Sequence, residues 1–135
     1  FEAWGWGEIN NINIYKGKYA QRDLLSILER LDIVVFFNSN KKYWGGGVSH
    51  SLLEAMSAGK IIVAWDNFTH RQVLNENNSF LVEEENYEAL KNKLLEIKDT
   101  NPRVLTSKRK QARVDSEIFS IENHIKTYVE YLKLN

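Results

Sequence analysis

At 135 residues, of which 43% are hydrophobic, the chain has the size of one domain with room for a buried core. Its 18 basic residues balance 18 acidic ones, which tells against a nucleic-acid binder, normally basic overall. There is no cysteine, so disulfides and thiolate metal sites are excluded and a reducing compartment fits.

Phe1 to Trp6 reads as a strand. Gly5-Trp6-Gly7 lacks the third glycine of a dinucleotide fingerprint, and a second short strand, Ile12 to Tyr15, follows where that motif needs a helix. A tight turn is the better reading. Arg22 to Leu31 predicts a helix with Leu24, Leu25, Ile27, Leu28 and Leu31 on one broad stripe. Ile33-Val34-Val35-Phe36-Phe37 is apolar without alternation, as expected of a parallel strand covered on both faces. In the loop that follows, Lys41 and Lys42 can lend charge to a diphosphate, and Tyr43 or Trp44 can stack on a ring. An ordinary exposed loop is the plainer account of them.

The centre of the chain is the stretch from Gly45-Gly46-Gly47 through Val48-Ser49-His50 to Gly59-Lys60. It predicts a glycine loop at the carboxyl end of a strand, where open parallel sheets bind ligands, running into a short helix. Glycines let the backbone come close to a ligand, and the first turn of a helix offers N–H groups and partial positive charge to phosphate. Val48, Leu52, Ala55 and Met56 follow the spacing of a buried face. Glu54 and His50, four residues apart, share the other side with Ser51. Gly59 is placed for a left-handed helix end. Spacing alone leaves open that Glu54 is one carboxylate on a solvated face.

Ile61 to Trp65 predicts a buried strand and Asp66 to Thr69 a loop at the same edge, with Thr69 capping a short helix through Leu74 and His70 at the surface. Phe80 to Val82 is the last strand. Asn86 is placed to cap a helix from Tyr87 to Lys98 with Leu90, Leu94 and Ile97 inward. Pro102 opens another helix to about Ile118, on which Lys108-Arg109-Lys110 and Arg113 read as a solvated face because Asp115 and Glu117 follow. Ile121 to Leu132 closes the chain as an amphipathic helix. Asn67-Phe68-Thr69 and Asn77-Asn78-Ser79 fit the N-glycosylation pattern by chance in an Asn-rich chain. Alternating strands and helices define an α/β class with a doubly wound parallel sheet, Rossmann-like.

Leu52-Leu53-Glu54-Ala55-Met56-Ser57-Ala58-Gly59-Lys60-Ile61-Ile62-Val63-Ala64 resembles the signature region of glycosyltransferase family 4, the group 1 enzymes. The resemblance runs on through Trp4-Gly5-Trp6-Gly7, Ile12 to Gly17, Asp23 to Val35, Asn78-Ser79-Phe80-Leu81-Val82 and Ala112-Arg113 to Phe119-Ser120, nearly the whole chain in order. It implies the two-domain GT-B fold and a retaining, nucleotide-sugar-dependent transferase. On that reading residues 1–135 are a partial C-terminal donor-binding domain. Its first strand–helix unit, which supplies an Arg and a Lys to the donor diphosphate, and the N-terminal acceptor domain lie outside this chain. The opening at Phe1, without an initiator Met, fits a fragment that is inactive alone.

The resemblance further implies that Glu54 accepts hydrogen bonds from the donor ribose, and that the backbone of Gly46, Gly47, Val48, Ser49 and His50 holds the diphosphate and sugar; the loop reading adds Lys42 as a candidate diphosphate contact. The implied partners are a nucleoside diphosphate sugar and a glycan or lipid-linked acceptor, in polysaccharide biosynthesis. The implied setting is cytoplasmic, extending to peripheral association with the inner membrane face. Two departures stand out. The family's first signature Glu falls on Gly46, eight residues before Glu54, and the family's proline and closing Trp are Ile61 and Ile121. No catalytic residue is assigned. The missing Glu also admits a catalytically inactive, glycosyltransferase-like partner or regulator.

The three histidines, His50, His70 and His124, have no metal-ligand spacing, so no metal and no cofactor is expected beyond the donor substrate. Asp-x-Asp, the Gly-x-Ser-x-Gly elbow and the Walker loop are all absent from the sequence. A phospho-receiver domain needs an acidic residue where this chain has Phe36-Phe37-Asn38.

Overall fold

A computed structural model describes residues 3–4, 15–17, 19–39 and 47–133. The chain forms two compact units, Phe1–Leu31 and Asp32–Asn135. In the first, β1 (Ala3–Trp4) pairs in parallel with β2 (Tyr15–Gly17). The rest of the two strands expected at Phe1 to Trp6 and Ile12 to Tyr15 lies outside the described residues. A 3-10 turn at Gln21–Asp23 leads into α1 (Leu24–Glu29), shorter than the predicted helix. Leu24, Ile27 and Leu28 are buried while Leu25 is exposed. Leu25 is about 100° around the helix from Leu24, outside the narrower stripe that one turn and a half presents.

In the second unit β3 (Ile33–Phe36), β4 (Ile61–Asp66) and β5 (Phe80–Glu83) form a parallel sheet in that order, with Ile33 opposite Ile61 and Val63 opposite Phe80. Successive side chains of a strand face opposite ways. Ile61, Val63 and Trp65 therefore share one face, where they build a core with Val82 of β5 and with Leu90 and Ile97 of α4 (Tyr87–Asp99). Ile62 and Ala64 on the other face are equally shielded. There α2 (His50–Ser57) buries Leu52, Ala55 and Met56, and α5 (Pro102–Ser116) buries Ala112. Both α2 and α5 contact β4 and each other. This is the predicted doubly wound α/β arrangement.

Full burial on both faces holds for β4. In β3, expected to be covered likewise, Ile33, Val34 and Val35 are only half-buried and Phe37 is exposed beyond the strand end. Among the described residues β3 pairs with β4 alone, so it has one shielded flank. Ile61 stands where the resemblance has proline, and its N–H donates to Asp32 O at 3.0 Å, a bond that proline cannot make.

Caps explain most element ends. The turn after α2 has the two bonds of a Schellman motif, Gly59 N–H to Met56 O (2.9 Å) and Lys60 N–H to Ala55 O (3.1 Å), and Gly59 takes the left-handed φ of 62° it requires. Asn86 caps α4 by accepting from Ala89 N–H, and Pro102 stands in the first turn of α5, both as predicted. The short helix after β4, α3 (Phe68–Arg71), is capped by Asn67 and not by Thr69, and it ends before Leu74. Asn67 has the extended backbone a cap needs, whereas Thr69 is already inside the helix. A 3-10 turn (Glu117–Phe119) separates α5 from α6 (Ile121–Lys133), which buries none of its residues. Among the described residues, no helix is long and apolar enough to cross a membrane.

The basic run on α5 is exposed at Arg109, Lys110 and Arg113, as expected of a solvated face, but it also bonds to neighbouring elements. Arg109 Nε donates to Gly59 O (2.7 Å) and Arg113 Nε to Ser57 O (3.0 Å), so both guanidinium groups clasp the C-terminal end of α2, where carbonyl charge accumulates. Lys108 Nζ donates to Ser79 O (2.9 Å) and Glu76 O and lies over the Phe80 ring at 4.6 Å. Burial lowers its pKa from the ordinary lysine value. Of the four cations Lys108 alone is half-buried.

Candidate functional site

Only Gly59 and Lys60 and the turn at Ala58 separate α2 from β4. The C-terminal end of α2 therefore lies at the amino edge of the sheet, and its N-terminus at the carboxyl edge, where β3, β4 and β5 also end. Ser49, extended (φ −65°, ψ 132°), precedes the helix without a side-chain cap, and its hydroxyl meets that of Ser51 at 2.6 Å. The N–H dipoles of the first turn thus face the edge without an intervening capping oxygen from Ser49. Glu54 lies one turn into α2 and is half-buried, whereas His50 is exposed at its first position.

The other predicted contacts fall as follows. Val48 and Ser49 are half-buried and precede the helix, so Val48 is not on its buried face. Gly47 is exposed, and a Cβ added there would meet nothing within 4 Å. Its φ is not in the left-handed region, so neither crowding nor backbone strain within the chain calls for glycine at 47. Gly46 and Lys42 lie outside the described residues, as do Lys41, Tyr43 and Trp44.

Sequence reasoning missed a polar network that joins the three strand ends. Asn67 is buried; its Oδ1 accepts from His70 N–H (3.0 Å), while its Nδ2 donates to Asn38 O (2.8 Å) and Glu84 Oε1 (3.2 Å). Ser39 Oγ donates to Glu85 Oε1 (2.9 Å). Glu85 has a φ of 66°, which costs a residue with a Cβ about 1–2 kcal/mol. His70, expected at the surface, is 2% exposed. Its Nδ1 is 2.8 Å from Trp65 O, and since a carbonyl only accepts, Nδ1 carries the proton. Burial pushes its pKa below the ordinary histidine value, against smaller opposing effects of the Trp65 bond and the Glu84 charge. No local signal marks these partners, because Ser39 and Glu85 are 46 positions apart.

On the rim, Arg71 forks onto Asp66 (Nε–Oδ1 2.6 Å, Nη2–Oδ2 2.8 Å) and reaches Glu76 (2.6 Å). The Arg71 hydrogen bond holds both carboxyls below their ordinary range. These groups are largely solvated, so the triad contributes little stability. Among the described residues no group of three His, Asp or Glu side chains is placed to hold a metal ion.

An open parallel sheet with flanking helices, Rossmann-like, is the fold class to which the domains of GT-B glycosyltransferases belong. The chain belongs to the family of glycosyl transferases group 1, which it matches over residues 3–114. Its fold is similar to that of HepE from Anabaena in complex with UDP (TM-score 0.72, 21% identity, 90% of this chain) and to TarM (0.65, 23%, 87%). Sucrose-phosphate synthase from Thermosynechococcus elongatus is similar too (0.70, 19%, 89%). The chain spans 32%, 22% and 29% of those three proteins. No curated protein matches it.

Proposed function

We propose that this chain is the donor-binding part of a family 4 glycosyltransferase that transfers a sugar, with retention, from a nucleoside diphosphate sugar to a glycan or lipid-linked acceptor. The observation that carries this reading is Glu54, half-buried one turn inside a helix whose start opens on the carboxyl edge, in a group 1 chain. A carboxylate only accepts, and it has sites for both ribose hydroxyls. The backbone N–H groups of residues 46–50, with Lys42, hold the diphosphate. As the glycosidic bond breaks, negative charge grows on that diphosphate, and fixed N–H dipoles stabilise it without rearrangement. In this scheme no metal is required. HepE, similar in fold, is known in complex with UDP, which supports a nucleotide as ligand.

The same reading makes residues 1–135 part of a C-terminal domain, with an acceptor domain elsewhere in the protein and a cytoplasmic setting that extends to peripheral association with the inner membrane face. A second reading, a catalytically inactive relative that binds a partner, is favoured by Gly46, where the first signature Glu is missing.

Titration of the chain with UDP, GDP, ADP and TDP, followed by amide chemical shifts, is the direct test. Shifts at residues 47–54 with one nucleotide are expected. Charge-assisted bonds contribute about 1.5–3 kcal/mol each, so Glu54→Ala is expected to weaken that nucleotide at least about tenfold. Unchanged binding by Glu54→Ala removes its proposed role. Sugar transfer by the full-length protein distinguishes an enzyme from an inactive relative.

A further inference from the structure

We propose that the exposed rings of Phe37 and Tyr87, backed by Trp65, form a stacking platform for a neutral oligosaccharide at the carboxyl edge, on the face of the sheet away from α2. The Trp65 ring touches both, its centroid 5.6 Å from that of Phe37 (59° between planes) and 5.5 Å from that of Tyr87 (81°). Trp65 is 1% exposed, whereas Phe37 is 53% and Tyr87 68% exposed. One buried indole therefore fixes two rings open to solvent, one just beyond β3 and one at the first position of α4. Scattered exposed apolar residues are ordinary, whereas contiguous ones mark interaction surfaces.

A polar bridge spans the same two segments. Ser39, two residues beyond Phe37, donates from its hydroxyl to Glu85, two residues before Tyr87, at 2.9 Å. Glu85 holds this place at a φ of 66°, where glycine would be unstrained, and positions strained in this way cluster at functional sites. Rings and polar groups together suit a sugar. One face of a pyranose presents C–H groups with partial positive charge, which are drawn to the negative face of an aromatic ring. The sugar hydroxyls need donors and acceptors at the margin, and a serine hydroxyl and a carboxylate are of the right kind. Rings held in advance by Trp65 lose little freedom when a ligand lands on them. Charge narrows the choice of partner. Glu83, Glu84 and Glu85 follow one another just ahead of Tyr87 and repel nucleic acid and anionic lipid. A neutral glycan also fits a chain of the glycosyl transferases group 1 family. The platform shares no residue with the proposed donor contacts, so it stands or falls apart from them.

The test titrates the full chain with maltopentaose, cellopentaose and chitopentaose to about 20 mM each, followed by amide and aromatic-ring chemical shifts. Shifts at Phe37, Ser39, Trp65, Glu85 and Tyr87 with at least one sugar are expected. Phe37→Leu and Tyr87→Leu keep an apolar cover over Trp65 but remove the aromatic face. Each is expected to weaken that sugar about three- to tenfold, with a melting temperature within about 4 °C of the wild type. Phe68→Leu, at an exposed ring on α3 outside this stack, is expected to change neither. Unchanged affinity in both Phe37→Leu and Tyr87→Leu makes the rings a lid over Trp65 and overturns the platform. Shifts that fall elsewhere, or no binding by any of the three sugars, overturn it equally. Shifts of these residues with protein concentration alone would show copies of the chain pairing through this surface, and these too overturn it. If a leucine variant does not fold, the wild-type shifts decide alone. A wild type that binds a sugar here and none of UDP, GDP, ADP and TDP overturns the donor reading and leaves the platform standing.

Discussion

His70 shows how far one residue can depart from its local pattern. Its place in a loop and short helix at the sheet edge reads as surface; the tertiary fold buries the ring and bonds it to Trp65 O. Its pKa is depressed in the folded state, so the unfolded chain takes up the proton first as pH falls. The resulting stability is fully present above the unfolded value of about 6.5 and is lost as pH drops through the lower, folded value. Chemical denaturation should therefore find the wild type weakening from pH 7 to pH 5 more steeply than His70→Gln. Equal slopes would remove the assignment. Gly47 makes the opposite point. With open space around it and an ordinary φ, Gly47→Ala should change stability by less than about 0.5 kcal/mol. If Gly47 is there for a ligand's approach, the same variant weakens nucleotide binding. Asn86 and Gly59 were legible because a cap is a local contract between neighbours in sequence. The partners of Asn67, His70 and Glu85 are set by strand order, and no spacing rule reports them.

At the level of elements, α2 is held from behind. Its turn at Gly59, with φ 62°, places an added Cβ 3.4 Å from Arg113 Nη2, so Gly59→Ala is expected to cost about 1–2 kcal/mol from the backbone alone. Urea unfolding measures it, and a neutral result would contradict the Schellman geometry. Alternating basic and acidic residues on α5 looked like solvated charge because sequence pattern weighs charge against charge. Here the partners of Arg109 and Arg113 are backbone carbonyls, which carry no sequence signature. Asn78 is a similar case: wholly buried, it donates to Val73 O (2.9 Å) and Asp115 (2.7 Å) and accepts from Asn75 N–H (2.8 Å). Asn78→Ala should cost about 2–4 kcal/mol by leaving such groups unpaired. The resemblance marked that asparagine without giving its task.

Across the second unit, burial is concentrated on one strand. β4 is covered on both faces and paired on both flanks, whereas α6 has no buried residue among those described. Hydrogen exchange should accordingly be slowest at Ile62 to Trp65, approaching the global unfolding free energy, and fastest among the helices in α6. Comparable protection in α6 would show that another surface covers it. The αβ alternation that defined the fold class was legible because continuous apolar runs and helical stripes differ in period. The half-burial of β3 among the described residues was not, since a continuous apolar run reads the same whether or not both faces are fully covered.

The clasp at the C-terminal end of α2 also sets the aim of the opposite end. A helix of this length, His50 to Ser57, is about 12 Å long, and a tilt of about 5° about its rear end swings the front by about 1 Å. If the front of α2 holds the donor as proposed, an error of 1 Å in a reacting geometry can cost about a hundredfold in rate. Arg109 and Arg113 touch nothing at the carboxyl edge in the bonds described, yet by holding the rear of α2 they bear on where its first turn points.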